Sequence, residues 1–211
     1  MEQDRRRRRH ARILEAASRV FSEKGYHETA MDDIALASHT SKGGLYFHFP
    51  NKQTLFLALL DQLTGQLRAR VEAAIAAEDD PIRKAEAALR VVLHTFATHR
   101  TLARLFLVET AAAGRAFHER LAAIRAAFAA LIRVHLDAAV AAGVIPPQDT
   151  ALAAQVWFGA LEAVVTRWLL EEPPSSLEDC YPALRTLLLR SVGVPPARIT
   201  PMENGHAPRR D

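Results

Sequence analysis

Apolar residues recur at helical spacing along most of this chain. Ile13, Leu14, Ala17, Val20 and Phe21 make the first stripe, over about residues 6–24, and it stops at Gly25, which suits a helix C-terminus. Met31, Ile34, Ala35 and Ser38 continue the spacing in a second, shorter segment, with Thr29 as the expected N-cap and Asp32 three residues on. Ser41 is the expected N-cap of a third, which Pro50 and Asn51 end. Longer stripes follow over about residues 52–77, 81–98, 101–113, 115–142, 148–170 and 177–193. Asp79-Asp80-Pro81, Gly114, Gly143, Pro146-Pro147 and Pro173-Pro174 separate them. The pattern predicts an all-α protein of about nine helices. Residues 194–211 have no apolar period and are expected to be disordered.

The second and third helices are short and joined by a tight turn. One is amphipathic and packs inward; the other presents small, hydroxylated and basic groups, which is what a major groove accepts. Lys42 is a good phosphate donor and the helix N-terminus adds oriented amides. Gly43 and Gly44 each cost about 1 kcal/mol relative to alanine in a helix. The functional explanation is close approach of backbone to DNA, and the alternative is tolerance near a helix end. Leu45 and Phe49 are expected to pack inward, with Phe47 partly exposed near the DNA surface.

The stretches ILEAASRVFSEKGYHETAMDDIA (Ile13 to Ala35) and SKGGLYFHFPNKQTLF (Ser41 to Phe56) resemble the TetR family of bacterial transcriptional regulators. The resemblance implies a three-helix helix-turn-helix domain over residues 1–54 and a helical ligand-binding and dimerisation domain over residues 55–193. It places Thr40, Ser41, Lys42 and Gly43 against the major groove, Tyr46 and His48 on the DNA backbone or thymine methyls, and Lys52 on a phosphate. Thr29, Gly44 and Phe47 complete the expected DNA-binding set. Three positions depart from the family pattern. His39 stands where glycine usually makes the turn, and histidine tolerates positive φ better than most residues. Thr40 replaces a common valine, and Ala30 replaces a common serine or threonine, removing an expected phosphate contact.

Charge sharpens this division. Residues 1–55 carry 10 Lys/Arg against 7 Asp/Glu, whereas residues 56–211 carry 17 of each, so the net charge of +3 belongs to the segment that would meet phosphate. Within it Arg5 to Arg9 is a run of five arginines. Arg5, Arg6 and Arg7 are read as part of a basic arm, residues 1–9, that enters an adjacent minor groove, with a solvated extension as the alternative.

The last two long stripes supply the expected dimer surface, because a reader of two half-sites needs a symmetric partner. The eighth helix is apolar nearly all round. Trp157, Leu161, Val164, Val165 and Trp168, with Leu184, Leu187 and Leu188 of the ninth, are assigned to the interface. The effector is expected among Leu63, Leu67, Val92, Phe96, Leu105, Phe106, Glu109, Phe117, Ile124, Phe128, Trp157, Phe158 and Glu162. Polar groups that would orient it are Glu109, Glu162, His94, His99, Arg104, His118, His135 and Arg167. The SKGGLYFHFPNK wording and the segment TRWLL around Arg167 resemble subgroups that respond to acyl-CoA or lactone signals, with a drug-like apolar molecule as the alternative. Implied by the resemblance is a repressor that a small apolar or amphipathic effector releases from a palindromic operator.

Other classes find little support. No HExxH, Walker, nucleophile-elbow or GxGxxG motif is present, and the lone Cys180 makes no disulfide framework or cysteine-rich zinc site. Neither a cofactor nor a metal is expected. No apolar run reaches the length of a membrane span, and Arg12, Glu15, Arg19, Glu23 and Lys24 interrupt any signal-peptide core. The expected location is therefore the cytoplasm. The rival readings are an enzyme and a helical ligand-binding protein without DNA binding.

Overall fold

The computed structural model describes residues 1–108, 114–171 and 175–199, which form nine α-helices with no strand among the described residues. The first, α1, spans Glu2–Glu28 and contains Arg5 to Arg9. The helix thus starts earlier than the expected residue 6 and takes in the segment expected as a basic arm: arginine is a good helix former, and Asp4 brings negative charge to the first turn, where the helix dipole favours it. Gly25 interrupts α1 at φ 76°, ψ 171°, a region essentially reserved for glycine. Its carbonyl accepts the Thr29 hydroxyl at 2.6 Å, and Thr29 is 2% exposed.

Thr29 is therefore not the N-cap of the second helix, α2 (Met31–Ala37), which starts after Ala30. The Ala30 N–H donates to the Asp33 carboxylate at 3.1 Å. Lys24 pairs with the same carboxylate at 2.9 Å. Together, Lys24 first, they hold the Asp33 pKa below its ordinary value. His39 makes the turn at φ 49°, as expected of a residue that tolerates the left-handed region. Then comes α3 (Lys42–His48), where Ser41 Oγ accepts the Gly44 N–H at 3.2 Å. Next is α4 (Lys52–Ala76), where Asn51 Oδ1 accepts the Thr54 N–H at 2.8 Å.

Asp80 caps α5 (Pro81–Thr98) and Pro81 opens it. The sixth helix, α6 (Arg100–Leu107), is shorter than expected, and residues 109–113 lie outside the described ones. Following it are α7 (Arg115–Ala141) and α8 (Thr150–Leu170), the latter starting after the Asp149 cap. The expected ninth helix opens as a 3₁₀ turn, Leu177–Cys180, and becomes α9 (Tyr181–Ser191) at Pro182. Val194 and Ile199 are buried and Arg198 pairs with Asp80 at 2.7 Å. The expected disorder from residue 194 is thus corrected over 194–199, where two apolar side chains find core sites. Residues 200–211 lie outside the described residues.

Two cores result. Ile13, Phe21, Ile34, Leu45, Phe49, Leu55 and Phe56 build the first, and Leu105, Phe106 and Phe117 of α6 and α7 enter it. Leu89, Leu93, Trp157, Val165, Trp168, Leu184 and Leu188 build the second. The division expected at residue 54 falls inside α4, which runs unbroken from one core to the other. Packing against α5 and α7, it becomes a shared rod.

Gly25→Ala should lower stability by about 1–3 kcal/mol, because alanine cannot adopt that backbone conformation without strain. Urea denaturation checks this; an unchanged midpoint would mean that the α1 break does not need glycine.

Candidate nucleic-acid interface and ligand cavity

The expected reading surface is α3 with its preceding turn. Leu45 and Phe49 are buried beneath it, and Tyr46 and Phe47 are exposed, Phe47 at 72%. The two glycines separate. A Cβ on Gly44 would come within 3.1 Å of Ser41 Oγ and Thr40 Cγ2, whereas one on Gly43 would meet nothing within 4 Å. Gly44 thus serves its own cap. Nothing inside the protein accounts for Gly43. Thr40 Oγ1 donates to Ser38 O at 3.3 Å, and Lys42 reaches Asp32 of α2 at 2.9 Å, both side chains being exposed. That carboxylate raises the Lys42 pKa.

Two expected DNA contacts have other work here. Thr29 gives its hydroxyl to Gly25, as above. Lys52 Nζ donates to His27 O at 2.9 Å and Thr29 O at 2.8 Å, and lies 4.9 Å from the Tyr26 ring centroid. It therefore ties the start of α4 to the end of α1. Its position at a helix start fitted a phosphate contact, but the carbonyls freed by the Gly25 break compete for it.

Behind α3, the His10 ring lies 6.1 Å from that of His48 and 4.8 Å from that of Phe49. The Arg6 guanidinium sits 5.4 Å from the Phe47 centroid. Burial first, and then neighbouring cations, lowers the pKa of both histidines. Arg5, Arg6 and Arg7 are all exposed on α1.

Between the helices of the second core lies a cavity of about 440 Å³. Leu63, Leu67, Val92, Phe96, Phe106, Ile124, Phe128, Trp157, Phe158 and Glu162 line it, together with His99 and His135. Leu105 and Phe117 do not; both are buried in the first core, because α6 and the start of α7 turn those faces toward the reading head. Glu109 lies outside the described residues. On α4 the lining runs from Leu60 to Ile75, about 22 Å of helix.

The cavity is apolar along most of its wall, with charged groups set into it. Arg125 holds Glu162 Oε1 through Nε at 2.8 Å and Nη2 at 2.5 Å. Arg185, itself buried, holds Glu86 Oε1 through Nε at 2.7 Å. His135 has its pKa lowered by burial and then by Lys84. Sequence reasoning does not single out Arg70, Arg125, Arg185 or Glu86, because long charged side chains look solvated; Arg70 and Arg125 do remain exposed at the rim, while Arg185 is buried and Glu86 partly buried. His94 instead sits beside Glu178 (2.8 Å), His118 beside Gly114 O (2.9 Å), and Arg167 beside Glu171 (3.6 Å), all outside the cavity wall. Arg104 donates to Leu169 O at 3.2 Å.

The assigned dimer surface needs correction. Trp157, Val165, Trp168, Leu184 and Leu188 are buried in their own protomer. Trp157 Nε1 donates to Ser191 Oγ at 3.1 Å and Trp168 Nε1 to Ser175 O at 2.6 Å. Leu161 and Val164 are partly buried against the same core. Leu187 is exposed, at 67%, and so are Leu152, Val156 and Leu170. Leu152, Val156 and Leu170, with Gly159 and Ala163, make one stripe on α8, and Leu187 is exposed on α9. A helix apolar on every side offers no periodicity by which to tell its inner face from its outer one.

Among the described residues no group of three or more His, Cys, Asp or Glu is placed to hold a metal, and no helix is long and apolar enough to cross a membrane.

Residues 13–59 match the profile of the bacterial regulatory proteins of the tetR family, and residues 78–192 match that of a tetracyclin repressor-like C-terminal domain. The chain is 24% identical over 190 residues to the fatty acid metabolism regulator protein of Bacillus subtilis (strain 168), covering 89% of this chain and 97% of that protein. It is similar in fold to the transcriptional regulator FadR from Bacillus subtilis solved with stearoyl-CoA, with a TM-score of 0.77 and 23% identity over 88% of this chain and 98% of that one. AibR, solved with isovaleryl coenzyme A and operator DNA, gives a TM-score of 0.64 at 22% identity, covering 85% and 97%. A helix-turn-helix with a basic α1 beside it, an apolar cavity and two family profiles that together span most of the chain agree: the protein belongs to the tetR family of bacterial regulatory proteins and is a ligand-responsive, DNA-binding transcriptional regulator.

Proposed function

We propose that this chain is a cytoplasmic repressor that grips a palindromic operator as a homodimer and is released by a long-chain acyl-CoA. Residues 1–54 act as the reading head in this proposal, and residues 55–193 as the effector and dimer unit. The observation that carries the effector is the length of the apolar cavity. An extended chain advances roughly 1.2 Å per bond, so about 22 Å of lined α4 accommodates a saturated chain of roughly sixteen to eighteen carbons. Arg70, Lys84 and Arg125 at the wall supply cations for a polyanionic coenzyme A head. The relatives solved with stearoyl-CoA and isovaleryl coenzyme A support the same class.

Release follows from α6. Arg100 Nη2 donates to Leu169 O at 3.2 Å and Glu171 O at 2.9 Å, which pins the start of α6 to the end of α8. At its other end Phe106 lines the cavity and stacks on Phe56 of α4, 4.6 Å between centroids. A ligand that favours a displaced Phe106 selects a population in which α4 re-aims the reading head. Catalysis plays no part in this cycle.

Three outcomes test the reading. Gly43→Ala should leave the fold intact, or stabilise it by up to about 1 kcal/mol, yet weaken specific duplex binding about tenfold in a gel shift; full binding would show that DNA never approaches that backbone. Val156→Arg combined with Leu187→Glu should shift the chain toward monomer in analytical ultracentrifugation, and an unaltered dimer would place the interface elsewhere. Stearoyl-CoA at roughly a hundredfold excess over Kd should raise Tm by about 5–10 °C and release the duplex, octanoyl-CoA doing so more weakly. Absence of any shift with either would remove acyl-CoA as effector.

A further inference from the structure

The first turns of α1 carry five consecutive exposed arginines. In a helix, successive side chains are turned by about 100°, so the run divides into faces. Arg6 points to α3, where its guanidinium lies over the Phe47 ring. Arg9 flanks it on the same side, close enough to His48 to help depress its pKa, after burial, His10 and Arg6. Arg7 and Arg8 project from the opposite side of the same turns. Among the described residues, no carboxylate pairs with Arg6 or Arg9.

We propose that Arg6 and Arg9 form a helical ridge, continuous with α3, that binds the phosphate backbone bordering the major groove. The inference rests on the DNA-binding reading and goes beyond it by adding a second element to the interface. Steric dimensions decide where the ridge lies: a helix about 10–12 Å across does not enter a minor groove about 6 Å wide. With α3 in the major groove, the anion within reach of a guanidinium held over Phe47 is the sugar-phosphate strand at that groove's edge. Phe47 then acts as a platform. It is highly exposed, and a cation over an aromatic face is attracted to it, so Arg6 is partly ordered before DNA arrives and less side-chain freedom is lost on binding.

The test compares two charge-matched double variants of the full chain, R6Q/R9Q and R7Q/R8Q, on a duplex that the unmodified chain enriches from a random library. Each phosphate neutralised contributes about 0.9 to the slope of log K against log salt. R6Q/R9Q should lower the slope by about two per protomer and weaken binding at least tenfold at moderate salt. R7Q/R8Q should change the slope by less than half as much. R6K/R9K, which keeps the point charges, should recover most of the slope. Equal losses in both glutamine pairs would overturn the ridge in favour of diffuse attraction, and no loss in R6Q/R9Q would place the ridge off the DNA. Failure of the unmodified chain to enrich any duplex would overturn the DNA-binding reading itself. All four arginines are exposed, so circular dichroism should show the same helix content in every variant.

Discussion

The stack of Phe106 on Phe56 is where the two cores of this molecule become one object. Phe106 borders the cavity on one side and is buried against the reading head on the other. Burying a side chain of this size is worth about 1.5–3 kcal/mol, so neither α4 nor α6 can move alone without losing part of it. Phe56 extends the contact to Phe21 at 5.1 Å, Tyr26 at 4.7 Å and Phe117 at 5.7 Å. Tyr26 in turn lies under Lys52, whose ammonium closes the end of α1. One aromatic cluster thus joins the cavity wall to the carbonyls that precede α2. Such a cluster is close-packed, and close-packed groups rearrange between discrete states rather than stretch.

The opposite end of α6 has a different character. Arg100 reaches the last carbonyls of α8 and its guanidinium lies 5.1 Å from the Trp168 ring centroid. Cations at a helix C-terminus are favoured by the dipole and by unsatisfied carbonyls. This contact is polar and directional, while the Phe106 contact is apolar and tolerant of sliding. A short helix held in that way is anchored by directed hydrogen bonds at one end and by packed rings at the other. In the proposed cycle that asymmetry directs ligand-driven motion toward α4.

Local chemistry made part of this legible in the sequence. Gly25, His39, Ser41 and Asp80 mark their turns and caps because each acts on backbone within a few residues. Leu45 and Phe49 fell inward, as a short helix with one apolar edge requires. What failed depended on tertiary competition. Thr29 looks like an N-cap, but the carbonyl released at Gly25 takes its hydroxyl first. Leu105 and Phe117 look like pocket lining and instead serve the first core, since an apolar residue does not announce which of two cores it joins. On α8 the tryptophans expected at the dimer surface are buried, and the exposed large apolar residues are Leu152, Val156 and Leu170. The helical state of Arg5 to Arg9 was readable from arginine's propensity, but a run of like charge invites the disordered reading.

Two lysines on the proposed interface show why burial matters more than residue type there. Lys42 is paired with Asp32 across open solvent, and an exposed pair of this kind contributes about 0–1 kcal/mol. A phosphate arriving at α3 therefore exchanges one weak partner for another at small cost, leaving Asp32 to repel misplaced backbone. Lys52 donates to two carbonyls, those of His27 and Thr29, and covers Tyr26 as well. Removing it from them would expose unpaired acceptors at the hinge between α1 and α2, which costs more than an exposed pair. In the proposed cycle Lys42 can therefore exchange Asp32 for DNA, while Lys52 keeps the end of α1 tied to the start of α4.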